Sequence, residues 1–342
     1  MSDQYKLRVG IIVPKKLAIR LFHPCDIEFL KSFADFEAIE NLPETIGVGE
    51  VKCLIKNSHA CIVGWGEPVF DENILNCAPD LKLLVHIGAV HHMLTDAVWE
   101  RNIKVSSAVA AIAISVAETT IALMITALKR IIQFNERTHK GFWRGDENDQ
   151  ESSKAKELYN LNIGIIGAGY VGRNVIRLLK NFEVSILLYD PYVSDEEAQK
   201  LGVKKVSLEE LMSCSDVVSL HAPETHETYH MINKDNLKLL KDGTIFINTA
   251  RGAIVDEKAL IEELKTGRIT ACIDVTDPEP PSEDNPLRKL PNVILTPHLA
   301  GVISNGLYRV GKYAINEVYN LFMNKPLEYE ITKDMLERIQ HD

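Results

Sequence analysis

The chain has 342 residues, of which 46% are hydrophobic and 25% are charged, and its formal net charge is −10 at pH 7. This length allows two domains, and the composition is typical of a globular protein, which excludes wholesale disorder. A negative charge without a long basic run argues against nucleic acid or an anionic membrane as partner. An anionic substrate must therefore be held by local positive groups.

The first part of the chain alternates short apolar runs with helical patterns, which favours an α/β fold with parallel sheets. Strands are predicted at Val9 to Val13, Ala60 to Val63, Leu83 to His86 and Lys104 to Val105, with helices at Asp26 to Phe33 and Asp71 to Cys77. A long amphipathic helix is predicted at Ile114 to Ile132. Because Glu118 and Lys129 interrupt its apolar pattern, it is not expected to span a membrane. The polar segment 145–155 is predicted to be an exposed loop.

The second half of the chain continues the alternation. Strands are predicted at 163–166, 184–189, 217–220, 244–247, 270–274 and 293–296, followed by a helix at Ser304 to Met323 and a loose tail. The six cysteines are scattered, form no CxxC pair and lie mostly inside apolar patterns, which indicates reduced, buried thiols in a reducing compartment. The start of the chain carries no signal-peptide pattern, so the expected location is the cytoplasm.

A glycine motif opens this second half. The apolar run Leu161 to Ile166 leads into GAGYVG at 167–172, and a helical pattern follows. In this context Gly167 permits a tight turn, Gly169 lets a pyrophosphate approach the backbone, and Gly172 allows close packing of the helix. The motif therefore predicts a dinucleotide site. Its expected contacts are Gly167, Gly169, Tyr170, Val171 and Gly172.

Asp190 stands at the end of the next predicted strand, where a carboxylate accepts hydrogen bonds from an adenosine ribose. A carboxylate at this position repels a 2′-phosphate, and residues 191–193 contain no Arg or Lys that could hold one. NAD is therefore expected rather than NADP. Without the glycine motif upstream, Asp190 would be interpreted as a solvated turn residue before a proline.

Three further side chains follow predicted strands, at the ends where open α/β sheets bind ligands. Arg251 can hold a carboxylate with two parallel hydrogen bonds. His298 can exchange a proton with a substrate oxygen, and Glu279 can orient that imidazole and favour its protonated form. Taken singly, the same residues are also consistent with a surface arginine, a structural histidine and an ordinary acidic loop.

Five spaced motifs occur together along the chain. They are GAGYVG with Asp190, LHAPET at 220–225, NTARG at 248–252, CIDV at 272–275 with Glu279, and TPHLAG at 296–301. In this order they resemble the D-isomer-specific 2-hydroxyacid dehydrogenase family, which includes D-lactate, D-3-phosphoglycerate and glyoxylate/hydroxypyruvate enzymes. The resemblance runs from about Asp71 to Asn324, and five motifs in order are far more specific than any one.

The resemblance implies that Arg251, Glu279 and His298 are the catalytic residues, with Arg251 holding the substrate. Further cofactor contacts that it implies are Ala222, Pro223, Thr249, Ala250, Asp274 and Ala300. It implies an α/β fold with two Rossmann-like parallel-sheet domains, one flavodoxin-like and one NAD-binding, and a cleft between them. The substrate-binding domain is then 1–108 plus 303–342 and the NAD-binding domain 109–302. The expected assembly is a homodimer.

One loop departs from the family pattern. Family members usually have a Gly-x-Gly-x-Asp loop in the first domain, whose backbone N–H groups hold the substrate carboxylate. The matching stretch here is HIGAVHHM at 86–93, with Val90 and His92 in place of the second glycine and the aspartate. The resemblance implies substrate contacts from Ile87, Gly88 and Ala89, and the departure leaves the identity of the substrate open.

The histidines do not predict a metal site. His86, His91 and His92 are conceivable ligands, but adjacent histidines on a loop rarely converge on one ion. Three later histidines lack i, i+4 spacing, and these are His221, His226 and His230. No metal is therefore expected.

The sequence predicts an oxidoreductase that transfers a hydride between NAD(H) and C2 of a D-2-hydroxy acid or 2-oxo acid. The expected partner is that small acid. The alternative is an NAD(H)-sensing binding protein, similar to corepressors that resemble this family. A relative acting on formate or phosphite is less favoured, because no dedicated pocket for those substrates is evident in the sequence.

Overall fold

The computed structural model describes residues 6–90, 93–143 and 152–339. The chain forms two compact units, of which unit 1 comprises Met1–Ile112 and Val302–His341 and unit 2 comprises Ala113–Gly301. Unit 1 is thus built from both ends of the chain. Of the predicted loop 145–155, residues 145–151 lie outside the described residues.

The two units contain strands and helices in alternation. In chain order the strands are β1 (Leu7–Ile12), β2 (Ala34–Asp35), β3 (Ala60–Val63), β4 (Leu83–His86), β5 (Lys104–Ser107), β6 (Tyr159–Ile166), β7 (Glu183–Tyr189), β8 (Lys204–Lys205), β9 (Val217–Leu220), β10 (Ile245–Asn248), β11 (Thr270–Ile273), β12 (Val293–Leu295) and β13 (Glu330–Ile331). The helices are α1 (Lys15–Leu21), α2 (Pro24–Phe33), α3 (Val48–Ile55), α4 (Glu72–Leu75), α5 (Asp96–Glu100), α6 (Val109–Leu128), α7 (Ile131–His139), α8 (Tyr170–Leu179), α9 (Asp195–Leu201), α10 (Leu208–Cys214), α11 (Lys234–Leu237), α12 (Glu257–Lys265), α13 (Gly306–Phe322) and α14 (Lys333–Ile339).

Each unit has one sheet in which parallel pairing dominates. The order in unit 1 is β13-β5-β4-β3-β1-β2, where β13 alone among the described strands runs antiparallel to its neighbour. The order in unit 2 is β12-β11-β10-β9-β6-β7-β8, and its described pairs are parallel. Parallel neighbours require crossover connections, which are mostly helical here. The predicted α/β fold class is confirmed.

Both faces of the unit 1 sheet are buried. Successive side chains of a strand point to opposite faces, so Ile11 and Ile62 enter one core while Ile12 and Val63 enter another. Helices cover both faces, and the strands consequently read as continuous apolar runs in the sequence. This pattern explains why their positions could be predicted closely.

The predicted helix 114–132 is wrong at both ends. Helix α6 begins at Val109 and ends at Leu128, and α7 begins separately at Ile131. Arg130 lies between them with φ 52°, in the left-handed region that ends an α-helix. The early turn of α6 escaped prediction because its sequence, VAAI, is uniformly apolar and lacks a helical period.

The bounds of helix α6 change the argument that it does not span a membrane. Lys129 lies beyond its end, and by length and composition alone Val109–Leu128 is apolar enough to cross a membrane. Core helices of globular proteins pass the same test. In unit 2 Ala117, Leu123, Met124 and Ala127 of this helix are buried in one hydrophobic core. We therefore interpret α6 as a core helix.

The predicted loose tail is wrong. Residues after α13 form β13 and α14, and a buried carboxylate holds the start of this segment. Glu317 accepts hydrogen bonds from the Ser106 hydroxyl at 2.6 Å and from the backbone N–H groups of Glu328 and Tyr329 at 3.0 and 3.1 Å. The bond to Ser106 joins residues 211 positions apart, which explains why local patterns did not reveal it.

Candidate active site

The carboxyl end of β6 leads into a tight glycine turn. Gly167 has φ 90°, a conformation that strains other residues. A Cβ on Gly172 would lie 2.0 Å from the Gly167 carbonyl oxygen, so α8 can approach the turn this closely only without a side chain there. A Cβ on Gly169 would meet nothing within 4 Å, which leaves open space beside the start of α8. The first N–H groups of a helix lack intrahelical acceptors, so this turn suits a diphosphate.

Asp190 follows β7 directly and connects two loops. Its Oδ2 accepts a hydrogen bond from the Ala168 N–H at 2.7 Å, and its Oδ1 accepts one from the Tyr192 N–H at 2.8 Å. Each carboxylate oxygen retains a lone pair for a ribose hydroxyl. The carboxylate therefore lies beside the glycine turn in a position suited to an adenosine ribose.

The neighbouring strands bring other predicted cofactor residues to the same edge. The strand β6 lies between β7 and β9, which is the point where the strand order reverses and where open α/β sheets bind ligands. Ala222 and Pro223 follow β9, and a Cβ on Gly167 would lie 2.7 Å from the Ala222 nitrogen. Thr249 and Ala250 follow β10. All of these residues come after the carboxyl ends of parallel strands.

Asp274, after β11, organises the loop that carries His298. Its Oδ1 accepts hydrogen bonds from the Thr296 hydroxyl at 2.6 Å and the Leu299 N–H at 3.0 Å, and its Oδ2 accepts one from the Ala300 N–H at 2.9 Å. The Asp274 carbonyl oxygen accepts the His298 N–H at 2.9 Å. This loop gives His298 a φ of 51°. Asp274 is thus a structural support of the loop, whatever it contributes to the cofactor.

His298 and Glu279 are in direct contact. The Nδ1 of His298 lies 2.6 Å from the Oε1 of Glu279, and the two side chains are 47% and 41% exposed. A carboxylate at Nδ1 orients the ring and leaves Nε2 for another partner. The partial exposure means that both groups can be reached from solvent. This arrangement can deliver or accept a proton at Nε2.

Arg251 lies on the loop after β10, in an exposed position. Its carbonyl oxygen accepts the Asn248 side-chain N–H at 2.9 Å, which fixes the backbone. One guanidinium nitrogen donates to the Ala250 carbonyl oxygen at 2.7 Å. The guanidinium has five N–H donors, so most remain for a carboxylate. Arg251, Glu279 and His298 follow β10, β11 and β12, three neighbouring strands of one sheet.

The other histidines that the structure describes belong to no group that could hold a metal ion. Burial lowers the pKa of His221 to about 3, so this imidazole is neutral, and its Nε2 lies 2.9 Å from the Ser219 hydroxyl. The described residues contain no group of three or more His, Cys, Asp or Glu side chains that could hold a metal ion. His91 and His92 lie outside the described residues.

In unit 1 the predicted substrate loop follows β4. The Ile87 N–H donates to the Val63 carbonyl oxygen at 3.0 Å, and the Gly88 N–H donates to the Nδ1 of His86 at 2.9 Å. Ala89 is exposed, and its N–H has no acceptor in the described parts of the chain. Of the three residues, Ala89 alone has an uncommitted backbone donor among these described contacts.

Comparisons with known proteins identify the family of the chain. The model of the D-isomer specific 2-hydroxyacid dehydrogenase NAD binding domain matches residues 121–300. A D-3-phosphoglycerate dehydrogenase of Archaeoglobus fulgidus is 36% identical over 281 residues, which are 82% of this chain and 52% of that protein. A hydroxypyruvate reductase of Thermotoga maritima is 31% identical over 86% of this chain and 95% of its own length.

The chain belongs to the D-isomer specific 2-hydroxyacid dehydrogenase family. The apo-structure of D-lactate dehydrogenase from Escherichia coli agrees with this membership, with a TM-score of 0.69, 26% identity, and coverage of 95% of this chain and 100% of that one. The chain spans about half the length of the first curated relatives that it matches. The predicted family is confirmed, and NAD(H) is the cofactor of unit 2.

Two supports of this candidate site were missed in the sequence. Asp274 was predicted as a cofactor contact, and its role in holding the His298 loop was not foreseen. The Thr249 hydroxyl lies 3.0 Å from the hydroxyl of Thr120 in α6, a buried contact that links the NTARG loop to a distant helix. The role of Asp274 could have been predicted from the sequence. An aspartate directly after a strand offers acceptors, and the Thr-Pro-His turn after the next strand offers hydrogen-bond donors. The second joins residues 129 positions apart and has no local signal.

Proposed function

We propose that this chain is an NAD-dependent D-2-hydroxyacid dehydrogenase, which transfers a hydride between NAD(H) and C2 of a 2-oxo or 2-hydroxy acid. The observation that carries the proposal is the 2.6 Å contact between Glu279 and His298 at the carboxyl edge of the NAD-binding sheet. An imidazole oriented by a carboxylate is the arrangement that general acid–base chemistry requires.

Three residues of the chain have separate roles in this reaction. When bound, NAD(H) supplies or accepts the hydride. In reduction His298 donates the proton on Nε2 to the C2 oxygen, and in oxidation it takes that proton back. Glu279 holds Nδ1 and balances the charge of the imidazolium. Arg251 holds the substrate carboxylate with paired hydrogen bonds and polarises the C2 oxygen.

Residues of both units are assigned to ligands in this proposal. In unit 2 the glycine turn at 167–172 and Asp190 hold the diphosphate and ribose of the cofactor. The residues that surround its remaining parts are Ala222, Pro223, Thr249, Ala250, Asp274 and Ala300. In unit 1 the loop of Ile87, Gly88 and Ala89 contacts the substrate, and the backbone N–H of Ala89 binds the substrate carboxylate. This assignment is supported because the Ala89 N–H has no acceptor among the described residues, whereas the N–H groups of Ile87 and Gly88 are bound within unit 1.

The experiment is a turnover assay with a panel of substrates. Purified protein is incubated with NADH and a series of 2-oxo acids that includes pyruvate, glyoxylate, hydroxypyruvate and phosphohydroxypyruvate, and loss of NADH absorbance is followed. Turnover of at least one acid is expected. NADH that binds without turnover across the panel would contradict the enzymatic proposal and favour the NAD(H)-sensing alternative, which gains no support from the relatives described above.

Cofactor choice is expected to depend on Asp190. NADH should be used with higher kcat/KM than NADPH, because a carboxylate repels a 2′-phosphate. In Asp190→Asn, which keeps the size and removes the charge, the NADH to NADPH ratio of kcat/KM should fall by about tenfold, the effect of roughly 1.4 kcal/mol. Asp190→Ser should lower the NADH to NADPH ratio of kcat/KM as well. In this variant NADH binding should also weaken, because the hydrogen bonds to Ala168 and Tyr192 are lost. Equal use of the two cofactors by the unmodified protein would refute this assignment.

We further propose a homodimer formed through unit 2. Helix α7 contains no buried residue, and Ile131, Phe142 and Trp143 are 49%, 50% and 75% exposed. Clustered large apolar side chains at a surface indicate a protein interface. Light scattering at micromolar concentration should give twice the mass of the chain, and Ile131→Glu should yield monomers. A monomeric unmodified protein would contradict the proposal.

A cytoplasmic location is proposed on the chemistry of the thiols. All six cysteines are free, but Cys25, Cys53 and Cys214 are exposed, so the prediction that the thiols are buried is wrong for these three. Exposed free thiols are typical of a reducing compartment.

A further inference from the structure

His86 connects two loops at the carboxyl edge of the unit 1 sheet. It is the last residue of β4 and is 2% exposed. Its Nδ1 accepts the backbone N–H of Gly88 at 2.9 Å. Its Nε2 lies 2.9 Å from the carbonyl oxygen of Gly64 and 3.1 Å from the Oε1 of Glu67. One imidazole therefore contacts the loop after β3 and the loop after β4.

These contacts determine which ring nitrogen carries the proton. Because Nδ1 accepts the Gly88 N–H, it is unprotonated. Nε2 faces a carbonyl oxygen and a carboxylate oxygen, and both would repel a nitrogen lone pair, so the proton lies on Nε2. The Glu67 side chain is only 10% exposed, and its Oε2 has no hydrogen-bond partner among the residues that the structure describes. A buried carboxylate attracts the Nε2 proton strongly, which keeps Nδ1 available as an acceptor.

Gly88 is consequently held from several sides. Its N–H is bound by His86, and its carbonyl oxygen accepts the Ser107 hydroxyl at 2.6 Å. A Cβ on Gly88 would lie 2.4 Å from the indole nitrogen of Trp65, so the indole packs directly against this residue. Both polar groups of the Gly88 backbone are occupied within unit 1. Because the Gly88 carbonyl group and the Ala89 N–H belong to one planar peptide unit, the direction of the Ala89 N–H is fixed.

The next backbone donor is the N–H of Ala89, which is exposed and has no acceptor in the described parts of the chain. The Val90 N–H has no acceptor there either, but Val90 is 2% exposed and belongs to a hydrophobic core of unit 1, so its N–H is not accessible to a ligand. We propose that His86 is a positioning residue, which fixes the loop 87–90 so that the N–H group of Ala89 binds the substrate carboxylate. This inference rests on the proposed function, because it assumes that the ligand of the loop is a 2-oxo acid.

Binding of the carboxylate by the backbone should not depend on the rest of the substrate. The backbone N–H of Ala89 contacts the carboxylate that all 2-oxo acids share, and it makes no use of the substituent at C3. Loss of the hydrogen bond between His86 and Gly88 should therefore weaken the binding of all acids of the panel by a similar factor. A residue that selects one substituent would instead change their ranking.

Three variants separate positioning from general stability. His86→Leu removes the acceptor for the Gly88 N–H. His86→Asn retains one, because an Asn side chain accepts the N–H two residues ahead in an Asx turn. His59→Leu is the matched control, since the Nδ1 of His59 accepts the Arg8 N–H at 2.9 Å in the same sheet but at its amino edge.

Two measurements are made on the full chain. In His86→Leu the KM for each accepted 2-oxo acid should rise by about tenfold, the effect of one lost hydrogen bond, while kcat and the Kd for NADH change little. Amide hydrogen exchange, followed by mass spectrometry, should become faster in the peptide that contains residues 87–90. His86→Asn should stay within about threefold of the unmodified protein on both measurements, by the same reasoning. Ser107→Ala removes the hydrogen bond to the Gly88 carbonyl oxygen. It should raise the KM and the exchange rate at 87–90, as His86→Leu does, and it replaces His86→Leu as the test if that variant does not fold.

The outcomes distinguish the two proposals. If the unmodified protein turns over no 2-oxo acid, the proposed function fails, and the exchange measurement still reports on His86. If the protein is active but His86→Leu has an unchanged KM and unchanged exchange at 87–90, the positioning role is refuted. A KM increase of equal size in His59→Leu would also refute it, because the effect would then reflect stability alone.

Discussion

His298→Ala is expected to reduce kcat for 2-oxo acid reduction by about 10²–10⁴-fold, the contribution typical of a positioned general acid. The Kd for NADH should change by less than about twofold, because the contacts of the diphosphate and ribose lie at the glycine turn and Asp190 and are independent of the imidazole. Steady-state kinetics and a fluorescence titration with NADH measure the two quantities separately. The split between them is the signature of a residue that acts on the substrate oxygen.

Glu279→Gln is the matched variant for this prediction. It keeps the shape of the side chain and a hydrogen-bonding group near the Nδ1 of His298, but it removes the charge. We expect a loss in kcat of roughly tenfold or more, smaller than that of His298→Ala, because the ring loses electrostatic support and keeps its proton-carrying nitrogen. Retention of more than about a tenth of the activity in His298→Ala would mean that another group supplies the proton.

Arg251→Ala should impair both binding and turnover. A bidentate guanidinium–carboxylate contact contributes about 3 kcal/mol, so kcat/KM for the 2-oxo acid should fall by roughly two orders of magnitude. The clamp acts in the ground state and in the transition state, and KM should therefore rise while kcat falls. Steady-state kinetics over a wide range of acid concentrations would show both changes.

Arg251→Lys controls for charge. A lysine keeps the positive charge and loses the planar pair of donors, so a partial recovery of substrate affinity with a persistent loss of kcat is expected. The NADH Kd serves as the internal reference in both variants. An Arg251→Ala protein with unchanged KM would show that the substrate carboxylate is bound elsewhere.

The sequence allowed prediction of those parts of the molecule that depend on local spacing. The turn at Gly167 and Gly172 requires glycine for steric reasons, and such a requirement is visible in the sequence itself. Strands β3, β4 and β9 were predicted at their observed bounds, because runs buried on both faces are continuous and apolar. The order of the motifs likewise indicated that Glu279 and His298 act together, and the structure brings them to 2.6 Å.

Other features depend on contacts between distant segments and could not be predicted in this way. Glu317 holds the start of the C-terminal segment, and it also accepts a hydrogen bond from Ser106, which is 211 residues away in the sequence. The break at Arg130 between α6 and α7 required a left-handed residue within an apolar helical pattern, for which a bulky arginine gives no signal. His86 was considered only as a conceivable metal ligand, because its neighbours Gly64 and Glu67 come from a different loop.

The most direct test of the proposed reaction follows the hydride itself. NADH that carries deuterium at the transferred C4 position is incubated with the protein and an accepted 2-oxo acid, and the hydroxy acid product is analysed by mass spectrometry and chiral chromatography. The account predicts one deuterium at C2 and the D configuration. A product of L configuration, a product without deuterium, or consumption of NADH without formation of a hydroxy acid would contradict it.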